Sequence, residues 1–309
     1  MTDAMHTPQG RRCGYAAVLG APNAGKSTLV NSLVGSKVTI VSPKVQTTRT
    51  RVLGITVEDD AQIVLVDTPG IFDAQRRFDR AMVAAAWDSA GDADAVLLLV
   101  DAARKRPAPE TDAIIDRLRR AAGQDRPVFL VLNKVDAVAP PALLPLAQRL
   151  NDTGLFSETF MISALSGDGL AALRAALAAA MPTGPWLFDE DQIADMPMRL
   201  LAAEITREKL FLRLHKELPY SATVETEAWD ERADGSVEIS QTIFVERDSQ
   251  KAIVLGKGGR QIKEIGSAAR EELEAMLEQR VHLALFVKVA RRWQEDRERY
   301  EAWNLNFDA

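Results

Sequence analysis

Apolar residues change rhythm once along the chain. Before residue 180 they gather in short unbroken runs at 15–19, 63–66, 128–132 and 160–162, each ending in a polar or glycine-bearing turn. Unbroken runs of this length predict strands covered on both faces. Helix-forming stretches at 27–33 and the alanine-rich 171–180 lie among them. After residue 198 an amphipathic stretch to about 218 precedes two alternating runs, at about 221–231 and 237–247. Asp234-Gly235 between those runs is a hairpin signal. Helices at about 250–255 and 260–277 and a strand at about 281–289 follow. Pro182, Gly184, Pro185 and Pro197 interrupt the helix before them, so 181–197 predicts a linker. The expected organisation is an α/β domain at 13–180, a linker at 181–197, an α+β domain at 198–290 and a tail at 291–309. The first domain should hold a mixed, mostly parallel sheet with helices on both faces.

Residues 20–27 read Gly-Ala-Pro-Asn-Ala-Gly-Lys-Ser and join the first strand to a helix N-terminus, the context of a phosphate-binding loop. Gly20 and Gly25 permit the tight turn, with Ala24 and Thr28 beside them. Lys26 reaches the β and γ phosphates, and the Ser27 hydroxyl is a magnesium ligand. Asp67-Thr68-Pro69-Gly70 ends a buried strand about forty residues on. Asp67 there supports the metal and Gly70 offers its N–H to the γ-phosphate. Asn133-Lys134-Val135-Asp136 ends another strand. The Asp136 carboxylate accepts from two guanine donors that adenine lacks, Lys134 lies along the base and Asn133 braces the loop. Ser163-Ala164-Leu165 fits a last loop whose backbone N–H meets guanine O6. Within Gln46-Thr47-Thr48-Arg49, Thr48 is favoured over Thr47 as the threonine that closes on metal and γ-phosphate. GTP or GDP with magnesium is the expected ligand set.

Ile71 stands where a water-orienting glutamine is common after Asp-x-x-Gly. Potassium held by Asn23 and by carbonyls of the 36–48 loop is one way to supply the missing charge. A plain turn-stabilising role for Asn23 is the other. Arg76 and Arg77 fit solvated charges opening a helix better than arginine fingers.

The C-terminal order, helix–strand–strand–helix–helix–strand, with Gly256-Lys257-Gly258-Gly259 between the paired helices, matches a KH domain of the second topological type. The glycines let a nucleic-acid backbone approach, beside Lys257, Arg260 and Lys263. Ile253, Val254, Leu255, Ile262 and Ile265 divide between core and base contact. The same pattern without a ligand would be a helix-turn-helix with a glycine turn.

Bulk properties narrow the partner. The net charge is −6 and the pI about 5.3, so this is no general polyanion binder. Its positive charge is local, which suits a short single strand. The lone Cys13 excludes an internal disulfide. Residues 1–12 carry no apolar core segment, and His6, His215 and His282 have no metal-ligand spacing. The charged stretch 291–300, with Trp293, is expected to be a solvated capping helix.

These motifs, with Ile-Val-Leu-Gly-Lys-Gly-Gly-Arg-Gln-Ile-Lys-Glu-Ile-Gly at 253–266, resemble the Era-like family of bacterial GTPases over essentially the whole chain after residue 13. The resemblance implies a P-loop GTPase domain followed by a type II KH domain. It implies a switch that binds 16S ribosomal RNA near its 3′ end and assists 30S subunit maturation. It further implies a cytoplasmic monomer with a peripheral fraction at the inner membrane. Two other readings remain open: a GTP-dependent RNA-binding adaptor with negligible hydrolysis, which Ile71 favours, and a tRNA-modification GTPase. The KH order and the absence of a cysteine near the C-terminus weigh against the last.

Overall fold

The computed structural model describes residues 10–121, 126–214 and 218–309. The polar start of the chain, His6 and His215 lie outside the described residues. The chain divides into two compact units: Met1–Thr39 with Thr48–Asp195 and Glu301–Ala309, and Ile40–Thr47 with Met196–Tyr300.

The first unit holds a six-stranded sheet in the order β2-β3-β1-β4-β5-β6. Its strands are β1 (Arg12–Gly20), β2 (Val52–Glu58), β3 (Ala61–Asp67), β4 (Ala95–Asp101), β5 (Val128–Asn133) and β6 (Glu158–Ile162). All neighbours are parallel except β2 and β3. Successive β1 residues point to opposite faces. Ala16 and Val18 pack with Leu29, Val30 and Leu33 of α1 (Lys26–Val34) and Leu173 and Leu177 of α5 (Leu170–Ala180). Ala17 and Leu19 pack with residues of α2 (Arg77–Asp92), α3 (Pro109–Arg120) and α4 (Pro140–Asn151). Both faces are covered, which is why the strands read as unbroken apolar runs. Register places Asp67 beside Val18 and Asn133 beside Asp101, so the motif residues collect at the carboxyl edge. The chain order reverses direction at β1, between β3 and β4, which is where such sheets open a ligand crevice.

The proline-rich stretch after α5 is packed chain. Cys13 N–H donates to the Pro182 carbonyl at 3.0 Å and Ile55 N–H to that of Ile193 at 2.8 Å. Trp186 and Phe188 pack on Cys13, Ile55 and Val64. The physical reason is unpaired backbone: the open edge of β2 at Ile55, and the start of β1, which reaches beyond its β4 partner, at Cys13.

The second unit has a three-stranded sheet of β7 (Ala222–Glu231), β8 (Val237–Val245) and β9 (Val281–Val289), with β8–β9 parallel and β7–β8 antiparallel. Helices α6 (Met198–Arg213), α7 (Asp248–Leu255) and α8 (Arg260–Leu277) pack on it through Leu210, Phe211, Val254 and Leu273. The stretch 291–300 departs from the solvated helix expected of it. Trp293 is 1% exposed and its indole N–H donates to the Ser221 carbonyl at 3.0 Å. Tyr300 is buried, and Arg299 pairs with Glu225 while lying over the Phe244 ring. Two large aromatic side chains outweigh the flanking charges, most of which stay at the surface while Arg299 finds a partner in Glu225. Trp293–Glu295 forms a single 3-10 turn and Arg297–Ala302 a short helix, α9.

Trp293→Ala should cost about 3–5 kcal/mol through cavity formation and a lost indole hydrogen bond. A urea titration followed by circular dichroism checks this. An unshifted midpoint would mean that the indole anchors nothing.

Candidate nucleotide site and nucleic-acid interface

The loop after β1 turns into α1 at Gly25, whose φ is +99°. A Cβ there would sit 2.3 Å from Asn133 Nδ2, so both the backbone and the neighbour require glycine. Asn133 donates to the Ala24 carbonyl at 2.9 Å and accepts from Ala164 N–H at 3.0 Å. One amide thus ties the phosphate loop to the 163–165 loop. Lys26 is nearly fully buried, and its Nζ donates to the carbonyls of Gly20 and Ala21 at 3.2 and 3.1 Å. Burial lowers its pKa to about 8, against the pull of Asp67. A phosphate beside it would restore the charged form.

Asp67 is fully buried at the end of β3. Its Oδ2 accepts from Ser27 Oγ at 2.8 Å, Thr39 Oγ1 at 2.9 Å and Thr48 Oγ1 at 3.1 Å. Ser27 and Thr48 hydroxyls are 2.9 Å apart. Burial raises the carboxyl pKa, while Lys26 and the three hydroxyls hold it down. The other oxygen, Oδ1, is buried with no hydrogen-bond partner among the described residues. An all-oxygen set with one orphaned carboxylate oxygen fits a hard cation such as magnesium. No group of three or more His, Cys, Asp or Glu side chains that could hold a metal ion occurs among the described residues.

Thr47 is placed differently from Thr48. Its hydroxyl meets Ser42 at 2.7 Å and the Lys44 carbonyl at 2.8 Å, within the second unit. Thr39 has no sequence signal, being a single threonine in a loop. Asn31 fixes it by accepting from Val38 and Thr39 N–H and donating to the Thr39 carbonyl.

Gly25, Thr28, Asn133, Lys134, Asp136, Ser163 and Ala164 line one pocket of about 220 Å³, joined by Ala137 and Leu165. Lys134 Nζ donates to Asp101 Oδ2 at 2.7 Å and to the Asn23 carbonyl at 2.8 Å. Asp101, at the end of β4, is therefore a brace that no motif announces. Ser163 and Ala164 N–H groups are both engaged, by the Asp168 carbonyl and by Asn133. Gly70 lies against Pro22, where a Cβ would approach to 3.0 Å. Ile71 is 7% exposed and belongs to the core cluster of Leu19 and Leu98. Arg76 stands at the N-cap position of α2, its backbone N–H donating to Asp79 Oδ2 at 3.4 Å, and Arg77 lies over the Phe307 ring.

In the second unit Gly256, Lys257, Gly258 and Gly259 form the turn between α7 and α8. Gly258 has φ +62°, and open space surrounds its Cβ position. Lys257, Arg260 and Lys263 are exposed, with Arg260 paired to Glu264 at 3.0 Å. Between α8 and β9 runs a groove of about 320 Å³. It is floored by Ile262, Gly266, Leu283 and Leu285 and edged by Lys263, Ser267 and Arg270. Ile253 is more than half exposed, whereas Val254 and Ile265 belong to the core. Gly266, Ser267 and Arg270 escape sequence reading because helical spacing alone does not say which helix face meets a groove. No described helix is long and apolar enough to cross a membrane.

The family described as 50S ribosome-binding GTPase matches residues 15–134, and the KH domain family matches 217–294. A curated GTPase Era of Afipia carboxidovorans is 61% identical across 96% of this chain and 95% of its own length. The GTPase Era of Brucella suis biovar 1 is 58% identical across 96% and 94%. A crystal structure of Era with MgGDPNP and nucleotides 1506–1542 of 16S ribosomal RNA is 38% identical. It covers 95% of this chain and 98% of that one, with a TM-score of 0.89. A point variant of Aquifex aeolicus Era bound to GDP.AlF4- is 38% identical with a TM-score of 0.88, covering 94% and 98%.

Gly25→Ala should abolish nucleotide binding and lower thermal stability, since the new methyl would displace Asn133. Equilibrium binding of a fluorescent GDP with a melting curve tests both. Wild-type values in both would contradict the tight N-cap.

Proposed function

The chain belongs to the Era family of GTPases and hydrolyses GTP, and from that premise we propose a GTP-gated switch that binds 16S ribosomal RNA near its 3′ end and assists 30S subunit assembly. The observation that carries this reading is the pocket that brings Gly25, Lys134 and Asp136 together on the same chain as a Gly-x-x-Gly turn beside an apolar groove. A related protein of 38% identity crystallised with MgGDPNP and 16S nucleotides supports it.

In this reading Asp136 accepts from the guanine ring N–H and its amine, and Lys134 lies along the base. Asn133 keeps the two loops in register. A backbone N–H of the 163–165 loop, which holds Ser163 and Ala164, meets guanine O6. Lys26 binds the β and γ phosphates, and Gly70 N–H meets the γ-phosphate. Ser27, Thr48 and Asp67 hold magnesium, which when bound neutralises charge developing on the phosphate oxygens. Thr48 closes only on an intact γ-phosphate, so hydrolysis releases the segments 36–51 and 67–78. Gly256 to Gly259 admit the RNA backbone, while Lys257, Arg260 and Lys263 meet its phosphates. The domains act as a nucleotide domain at 13–180 and an RNA-binding domain at 198–290. A cytoplasmic monomer with a peripheral fraction at the inner membrane follows from the family resemblance and belongs to the same proposal.

Ile71 is packed in the core, so another group must order the attack. Asn23 is exposed on the phosphate loop and, with carbonyls of the 36–48 loop, is suited to hold potassium. GTP turnover should then be faster in potassium than in sodium at equal ionic strength; equal rates remove this role.

Single-stranded RNA matching the 16S 3′ end should bind more tightly with a GTP analogue than with GDP, and weakly to Gly258→Asp. A filter-binding or anisotropy titration decides it. Equal binding in both nucleotide states would leave two independent modules, and no binding would leave the glycine turn without a ligand.

A further inference from the structure

Residues 40–47 pack with the second unit, although they join two segments of the first. Three anchors on α6 hold them. Glu208 Oε1 accepts from Val41 N–H at 2.8 Å. Lys44 Nζ donates to the carbonyls of Phe211 and Leu214, at the end of α6. Helix ends leave such carbonyls without intrahelical donors and favour a cation there. Arg207 donates from Nη2 to the Thr47 carbonyl, and from Nε to Glu204 at 2.7 Å. Its guanidinium carbon lies 5.0 Å from the Phe211 ring centroid.

Arg207 is 0% exposed, and its Nη1 has no hydrogen-bond partner among the described residues. A buried guanidinium only partly satisfied is a costly way to secure a loop. A hydrophobic side chain would pack there more cheaply. The arginine does something a hydrophobe cannot: it grips one particular carbonyl. That carbonyl belongs to Thr47, one peptide bond before Thr48, whose hydroxyl sits on Asp67 and Ser27.

We propose that Arg207, supported by Glu208 and Lys44, is a positioning residue for Thr48. It fixes the chain on one side of the Thr47–Thr48 peptide so that the hydroxyl on the other side reaches metal and γ-phosphate. The proposal rests on the switch reading above. With GTP bound, both sides of that peptide are held. With GDP, Thr48 loses the γ-phosphate and keeps only its contacts with Ser27 and Asp67, so the grip on 40–47 works against a weaker opposing contact. Arg207 therefore favours GTP over GDP, while GDP affinity itself is insensitive to it.

The same anchors lead onward within the second unit. Glu208 Oε2 accepts from Lys209 at 2.8 Å, and Lys209 also pairs with Glu272 of α8. Helix α8 starts at the Gly-x-x-Gly turn and lines the groove. RNA seated there and GTP seated under Thr48 bias one shared element, residues 40–47, and must affect each other's affinity by the same factor.

The test uses the full chain with magnesium, a fluorescent GDP and a fluorescent non-hydrolysable GTP analogue. Arg207→Lys keeps the charge but cannot bridge Glu204 and Thr47 together. Glu208→Ala and Lys44→Ala lie outside the buried guanidinium and carry the test if the arginine variant does not fold. We expect the ratio of analogue affinity to GDP affinity to fall about tenfold in Arg207→Lys and Glu208→Ala. GDP affinity should stay within about twofold of wild type, below the usual range of allosteric coupling. A purely structural role would lower both affinities together; that result, or an unchanged ratio, overturns the proposal. In the same variants RNA affinity should become equal with analogue and GDP. Retained discrimination overturns the link through Glu272. Absence of RNA binding by wild type would sink the proposed function, while the nucleotide ratio would still judge Arg207 by itself.

Discussion

A carboxylate removed from water at the end of a buried strand must find its compensation nearby, and Asp67 organises the first unit around that need. Three hydroxyls from three separate segments, Ser27, Thr39 and Thr48, converge on one of its oxygens. Lys26 adds an opposing charge that is itself buried. Neither ion is comfortable alone: burial lowers the lysine pKa and raises that of the aspartate. A phosphate and a divalent cation relieve both at once, because each brings the charge that burial removed. The nucleotide site is thus a region of electrostatic incompleteness in an otherwise dry, well-packed sheet. Asn31 and Asn133 do the corresponding work on the backbone: Asn31 of α1 fixes the 38–39 loop, and Asn133 uses one amide to lock two loops.

Much of this architecture is legible in the sequence where local geometry dictates residue type. Gly25 needs a left-handed backbone and leaves room for the close approach of Asn133, so its identity announces the turn. Strands covered on both faces show as unbroken apolar runs, and the Asp234-Gly235 hairpin carries its own signature. What cannot be read locally is pairing at a distance. Thr39, Asp101 and Arg207 act through partners 28, 33 and 160 residues away, and no spacing rule connects them. The linker composition correctly excludes a helix but is silent on the β2 edge that the segment covers. In the stretch 291–300, frequent charges suggest solvation, whereas Trp293 and Tyr300 decide the outcome by burying their rings. Two aromatic side chains can withdraw several hundred square ångströms from water, which a handful of surface charges does not oppose.

The division of labour between the units follows chemical need. The first unit supplies fixed backbone amides, buried charge and a shaped base pocket, all of which profit from a rigid parallel sheet. The second presents an open groove whose floor is apolar and whose rim is basic, set in a chain of acidic balance. An acidic chain with one basic rim discriminates against long polyanions while allowing a short strand to settle, because repulsion elsewhere grows with every additional phosphate.

Residues 301–309 follow the second unit in the chain and return to pack with the first. There Trp303 lies against Phe78 and Phe307 under Arg77, at the start of α2. On a ribosome the chain emerges from its N-terminus, and domains ordinarily fold in that order. Here the GTP-binding half cannot be finished when its own sheet is complete, because these contacts are synthesised only after the second unit. Folding of the two halves is therefore interlocked in time: the nucleotide-binding half waits for the RNA-binding half to be made before α2 receives its last aromatic cover. A nascent chain stalled between residues 180 and 301 would carry a sheet, a phosphate loop and an incompletely covered helix next to its hydrolytic motif.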